Sequence, residues 1–355
     1  MVELPQRKAT VRSAVGGLIW IGLVCWRPSS PFDVGWAHQL LLFSPLILVP
    51  LVVGLAERRD DTSVIRRLLG LANWLQLPAA VSLVVAVEVL AQGSVAAAAC
   101  TLPWLLVTGL LGLVGLLRAW RRGGTPWPEL AVDAGLIFLP IGGGWALLHV
   151  LGEQPLGFKP VIVLLTAIHF HYAGLVLPVI TGLSGRRLPG RFSSLVAAGV
   201  TIGVPLVAVG ITSTQLGGPP AVETLSAWMT AAAAIGTSVL LLRLVRTGGV
   251  PLASKVLWTV SAVSLSGAMV LAALYGARAW LDLLPESWQL LPVPLEDPSG
   301  KTNNLEVIID WMRAWHGTAN AIGFSLCGCL AWTIAERGSV FEPAAQVLTA
   351  KNPGR

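Results

Sequence analysis

Apolar runs of bilayer-spanning length follow one another from end to end of this chain, with no stretch between them long enough for a separate soluble domain. A helix needs roughly 20 residues to cross a hydrocarbon layer of about 30 Å. Ten segments qualify as candidates: 13–27, 36–56, 69–91, 95–117, 130–151, 159–183, 193–214, 221–244, 253–281 and 306–335, the first of them short. Charged residues make up 12% of the 355, against about 25% in soluble domains. The runs are continuously apolar, which argues against a membrane β-barrel with its alternating lumen-facing and lipid-facing positions. The expected fold is an all-α polytopic bundle of about ten spans, one integral membrane domain over residues 1–355.

Orientation follows from Lys and Arg, which cytoplasmic loops retain. Arg7, Lys8 and Arg12 precede the first span; Arg58, Arg59, Arg66 and Arg67 follow the second; Arg118, Arg121 and Arg122 follow the fourth. Arg186, Arg187 and Arg191 follow the sixth, Arg243, Arg246 and Lys255 the eighth, and Arg337, Lys351 and Arg355 the tenth. These nineteen share one side of a ten-span layout, whereas Arg27, Lys159, Arg278 and Lys301 take the other and Arg313 falls within the last span. Both termini are therefore expected in the cytoplasm, and the protein in the cell inner membrane. The first apolar stretch lacks a clear small-x-small cleavage site and reads as an uncleaved helix.

The same distribution accounts for the net charge of +6. A nucleic-acid reader gathers its basic residues on one face; here they occupy every second loop, so no nucleic-acid partner is expected. Many of the fifteen Trp residues sit near span ends, where indoles favour the membrane interface. Cys25, Cys100, Cys327 and Cys329 show no metal-ligand spacing or disulfide framework.

Titratable residues inside the spans are costly and therefore point to function. Counted from the outer face at about 1.5 Å per residue, His169 and His171 lie roughly 15 to 18 Å down, near the midplane. Asp310, Arg313, His316 and Asn320 recur at intervals of three, three and four, which puts them on one face of the tenth helix. Glu88, His149, Tyr275 and Arg278 lie near the outer ends of their helices. The candidate catalytic set is His169, His171, Tyr172, His316, Asn320, Asp310 and Arg313, with Glu88, His149, Tyr275, Arg278 and Trp315 as substrate-binding candidates.

Each has a plainer reading. Asp310 and Arg313 form either a substrate clamp or a mutually neutralising ion pair. Glu88, His149 and Arg278 can snorkel to the interface. His169 and His171 point about 200° apart on a regular helix, so they cannot hold one ion together. A metal held by His169, His316 and Glu88 from three helices is an alternative; no cofactor is expected. His169 and Tyr172 share a face, as do His316 and Asn320, which suits proton transfer or hydrogen bonding. In the inner half, Asp133 and Asn73 are the polar residues of note. Residues 282–305, with four prolines and an apolar face, read as a lid or a surface connection.

Two of these segments carry a family likeness. His169-Phe170-His171-Tyr172-Ala173-Gly174, followed by Pro178 and Gly182, and the run from Trp315 to Phe324 resemble signature segments of the YndJ-like family of bacterial integral membrane proteins. The resemblance implies a multi-pass protein of the bacterial inner membrane, from a family whose members are sometimes labelled transporters. The residues themselves favour an intramembrane enzyme using acid–base chemistry on a lipophilic substrate, by isomerisation, cyclisation, epoxide opening or hydrolysis. The alternative is a transporter of a small or amphipathic molecule. No Gly-x-x-x-x-Gly-Lys-Ser/Thr run is present to bind a nucleotide.

Overall fold

The computed structural model describes residues 3–123, 125–277, 280 and 311–339. Among them, ten helices are long and apolar enough to cross a membrane: α1 Gln6–Trp26, α2 Val34–Ala56, α3 Ser63–Glu88, α4 Val95–Arg122, α5 Trp127–Leu151, α6 Pro160–Arg187, α7 Arg191–Gln215, α8 Pro220–Val245, α9 Leu252–Gly276 and α10 Met312–Arg337. The expected all-α bundle is thus the observed one. Its first helix is not short. Arg7, Lys8 and Arg12 lie within its helical run because long basic side chains are good helix formers and reach past the apolar layer. The end of the bundle where α1 begins is called here the basic end, and the opposite one the far end.

Helix α2 is the axis of the molecule. Every residue from Gln39 to Ala56 is buried, with α1, α3, α6 and α10 packed around it. Close approach elsewhere depends on missing side chains: a Cβ at Gly115 of α4 would stand 2.5 Å from the Asp133 carbonyl oxygen of α5, and one at Gly135 would stand 2.8 Å from that of Leu175 in α6.

Three helices depart from α-helical register, and they are neighbours. Wider π-helical turns occupy Ser44–Leu48 in α2, Phe170–Val176 in α6, and Met312–Gly317 and Ala319–Leu326 in α10; the α2 turn touches the other two, which also touch each other. In α2 the cause is legible. Pro45 and Pro50 lack N–H groups, so the ladder cannot run through them. The Val49 N–H reaches back five residues to the Ser44 carbonyl, and the next donor in that register would be residue 50. Gln76 Nε2 of α3 donates to the Pro45 carbonyl instead, at 2.6 Å. The Tyr172 hydroxyl of α6 donates to the Leu40 carbonyl, in the turn that Pro45 interrupts, at 2.7 Å. In α6, Pro178 follows the wide turn.

The basic end is closed by ion pairs. Asp61, in the α2–α3 connection, takes two hydrogen bonds from Arg118 at 2.9 and 2.5 Å, and both side chains are almost completely buried. A third bond from Arg118, at 3.0 Å, caps the Ala56 carbonyl at the end of α2. Arg122 reaches the fully buried Asp133 at 2.6 Å, and Arg186 grips Glu129 at 2.6 and 2.9 Å. Arg58 also pairs with Glu129; burial, with Arg186 and Arg122 nearby, pushes its guanidinium down to about 10. Arg12 bonds Asn73, which donates to Glu57 at 3.0 Å. The basic end is therefore far more polar than the spans alone suggest. Arg12, Glu57, Arg58, Asp61, Arg118, Arg122, Glu129, Asp133 and Arg186 all find polar partners there.

Candidate functional site

His316 is the most constrained of the candidate histidines. It lies in the wide turns of α10, and its Nδ1 is 2.8 Å from the Ala268 carbonyl of α9. A carbonyl can only accept, so Nδ1 carries the proton and Nε2 presents a lone pair. Asn320, four residues on, holds its amide nitrogen 2.9 Å from the His316 carbonyl and 3.2 Å from His316 Nε2. The predicted pairing of these two residues is present.

His169 is close to His316. It lies within electrostatic range of that residue, just before the wide turn of α6, Phe170–Val176, that touches α10. Its Nε2 is buried without a hydrogen-bond partner, and Phe170 meets the ring edge-on at 5.7 Å between centroids. Both histidines are half-buried as whole residues.

His171 points elsewhere. Fully buried, it has Nδ1 2.8 Å from the Ala167 carbonyl, while Nε2 accepts from Trp104 of α4 at 3.1 Å, the two rings stacked 5.8 Å apart. Both nitrogens are engaged, so the ring braces α6 against α4. Tyr172 spends its hydroxyl on Leu40 and ties α6 to α2.

The remaining candidates divide by location. Glu88 pairs with Arg27 at 3.2 Å at the far end, which occupies it with an arginine and removes it from any metal set with His169 and His316. Among the described residues no three His, Cys, Asp or Glu side chains meet as a metal site. His149 contacts His38 of α2, Nε2 to Nε2 at 3.0 Å. Arg313 is buried, Tyr275 half-buried at the end of α9, and Trp315 is exposed beside Trp311. Asp310, Arg278 and the 282–305 segment lie outside the described residues. A surface depression of about 400 Å³ along α7, lined by Ala208, Val209, Thr212, Ser213 and Leu216, contains none of the candidates.

Sequence reasoning passed over three residues that tie these helices together. Gln76 and Trp104 were unremarkable without their partners. His38 sits one turn into α2 and carries the same signal as His149, a titratable ring near a span end.

Fold and site together define a multi-pass integral membrane protein with histidines on four of its helices, α2, α5, α6 and α10. A sequence model of the YndJ-like protein family matches residues 39–286, and the chain belongs to that family. The matched region includes the His169–Gly174 run and ends before Trp315. The chain is 31% identical over 202 residues to the uncharacterized membrane protein YndJ of Bacillus subtilis (strain 168), an alignment covering 56% of this chain and 35% of that protein. The chain therefore spans about a third of the length of that relative. No solved structure matches it.

Proposed function

We propose that the chain is an intramembrane enzyme of the cell inner membrane that applies histidine acid–base chemistry to a lipophilic substrate, by isomerisation, cyclisation, epoxide opening or hydrolysis. The observation that carries this reading is the buried, unpartnered Nε2 of His169 opposite His316. A buried polar atom left unpaired is costly unless it serves a ligand. His316, with its proton fixed on Nδ1 by Ala268, has its Nε2 lone pair held only by the long 3.2 Å bond from Asn320, and takes a proton there when that bond is released. His169 is the second imidazole, able to return one. Asn320 is a positioning residue that holds the His316 ring in register. The basic end faces the cytoplasm on this reading, and substrate arrives from lipid at the far half.

Transport is the second reading, supported by three adjacent helices with interrupted register, a device transporters use at midplane sites. One experiment separates them. Membrane lipid extract is incubated with the purified protein in detergent and analysed by mass spectrometry. An enzyme yields a new product without any vesicle, and His316→Gln or His169→Gln lowers the yield about 100-fold or more, as loss of a general acid or base does, with thermal stability kept. Unchanged extract, together with uptake into sealed vesicles, would establish transport instead. Full conversion by the double variant would eliminate the histidine chemistry.

A further inference from the structure

Of the five histidines, His38 has no part in the site described above. On α2 its neighbours Trp36 and Leu40, four apart, look inward: Trp36 Nε1 donates to Thr318 of α10 at 2.8 Å, and the Leu40 carbonyl accepts from Tyr172 of α6. His38, two residues from each, projects from the opposite side of the helix. There it meets His149 of α5, with ring centroids 5.1 Å apart and the two Nε2 atoms 3.0 Å apart.

Two nitrogen lone pairs do not face each other at that distance, so one ring donates a proton to the other. His149 Nδ1 settles which. It is buried without a partner, and a buried N–H without an acceptor is rarer than an unused acceptor. His149 therefore carries its proton on Nε2 and donates to His38. The same reasoning speaks against a metal ion between the rings. Both Nδ1 atoms would then be protonated, and a ligating histidine almost always hands that proton to an acceptor.

We propose that His38 and His149 form a proton-operated clasp that ties the far end of α2 to α5 and opens when both rings are protonated. One added proton still leaves an N–H···N bond; a second leaves two donors and two like charges face to face. The charged surroundings favour opening at that point. The Arg27 guanidinium acts on His38 from the end of α1, itself tied to Glu88 of α3. From α6, the helix packed on the first half of α2, the titratable side chain bonded to α2 there is Tyr172, through the Leu40 carbonyl. Asp33, Glu153 and Lys159 are the charged groups on the adjoining connections, and Gln92 contributes only a neutral amide, bonded to the His149 carbonyl at 2.6 Å. The inference concerns the position of α2 and does not depend on the chemistry proposed for His169 and His316.

Spin labels on Val34→Cys and Glu153→Cys, in a chain whose native cysteines are replaced by serine or alanine, report the α2–α5 separation in lipid vesicles. Pulsed dipolar spectroscopy at steps from about pH 7.5 to about pH 3, well below ordinary histidine titration because two protons must enter one buried pair, is expected to show a longer, reversible separation in acid. His149→Gln should abolish that response, because an amide can donate to neutral His38 and accept from the protonated ring. Thermal unfolding confirms that each variant is folded. A separation that ignores pH, one that lengthens equally in folded His149→Gln, or one that responds to added zinc rather than to acid would each overturn the clasp.

Discussion

Gln76 stands in for a backbone donor that Pro45 lacks. Its amide reaches the Pro45 carbonyl at 2.6 Å because the residue five further along α2, Pro50, has no N–H to give. Gln76→Leu should therefore lower stability by on the order of 1–3 kcal/mol, the cost of a buried acceptor left unpaired. Pro50→Ala restores a donor. The loss should shrink in the Gln76→Leu, Pro50→Ala double variant, and additive effects in a thermal or chemical unfolding cycle would refute the substitution of one donor for the other.

The Asp61–Arg118 pair predicts a different pattern. With both side chains nearly inaccessible, Asp61→Asn or Arg118→Leu leaves a lone buried charge or donor set and should cost about 3–5 kcal/mol. Changing both to neutral residues should cost less than the worse single change, though the Ala56 carbonyl still loses its cap. Folded yield after detergent extraction, followed by thermal melts, decides the order.

His171 should behave as a brace. His171→Leu strands the Trp104 indole N–H inside the bundle and should destabilise by about 1–3 kcal/mol. Trp104→Phe in addition removes the stranded donor and should recover part of the loss. Were His171 instead a proton carrier, any activity would fall much further than folded yield.

Sidedness is tested by reporters. Fusions after residues 122, 190 and 248 should all report cytoplasm, and one within 286–300 should report the opposite face. An external signal after residue 190 would reverse the proposed direction of substrate entry.

The ten spans were readable because each is a nearly unbroken apolar run, the strongest signal a sequence carries. The start of α1 was not, since Arg7, Lys8 and Arg12 mimic a loop while lying in the helical run. The His316–Asn320 pairing survived because a spacing of four still brings side chains together in the wider turns of α10. His169 and His171 were separable from their two-residue offset alone, although which of them faced α10 was not. The ionic basic end was hidden for a different reason. Arg118 and Asp61 are 57 positions apart, as are Arg186 and Glu129, and no local pattern links such partners. The same applies to His38, whose meaning depends wholly on a ring 111 positions away.

The enclosure of α2 has a bearing on how the molecule comes into being. Synthesis from the N-terminal side delivers α2 to the bilayer after α1 and before the eight helices from α3 to α10. Its far-end polar groups, Gln39 and Ser44, and its proline-interrupted turns then face lipid. Gln76 comes with the following helix, but Tyr172 and Thr318 belong to the sixth and the tenth. A helix made before most of its neighbours is thus among the last to be settled, and truncation before α10 should leave it accessible to lipid-soluble labelling reagents that cannot touch it in the ten-helix bundle.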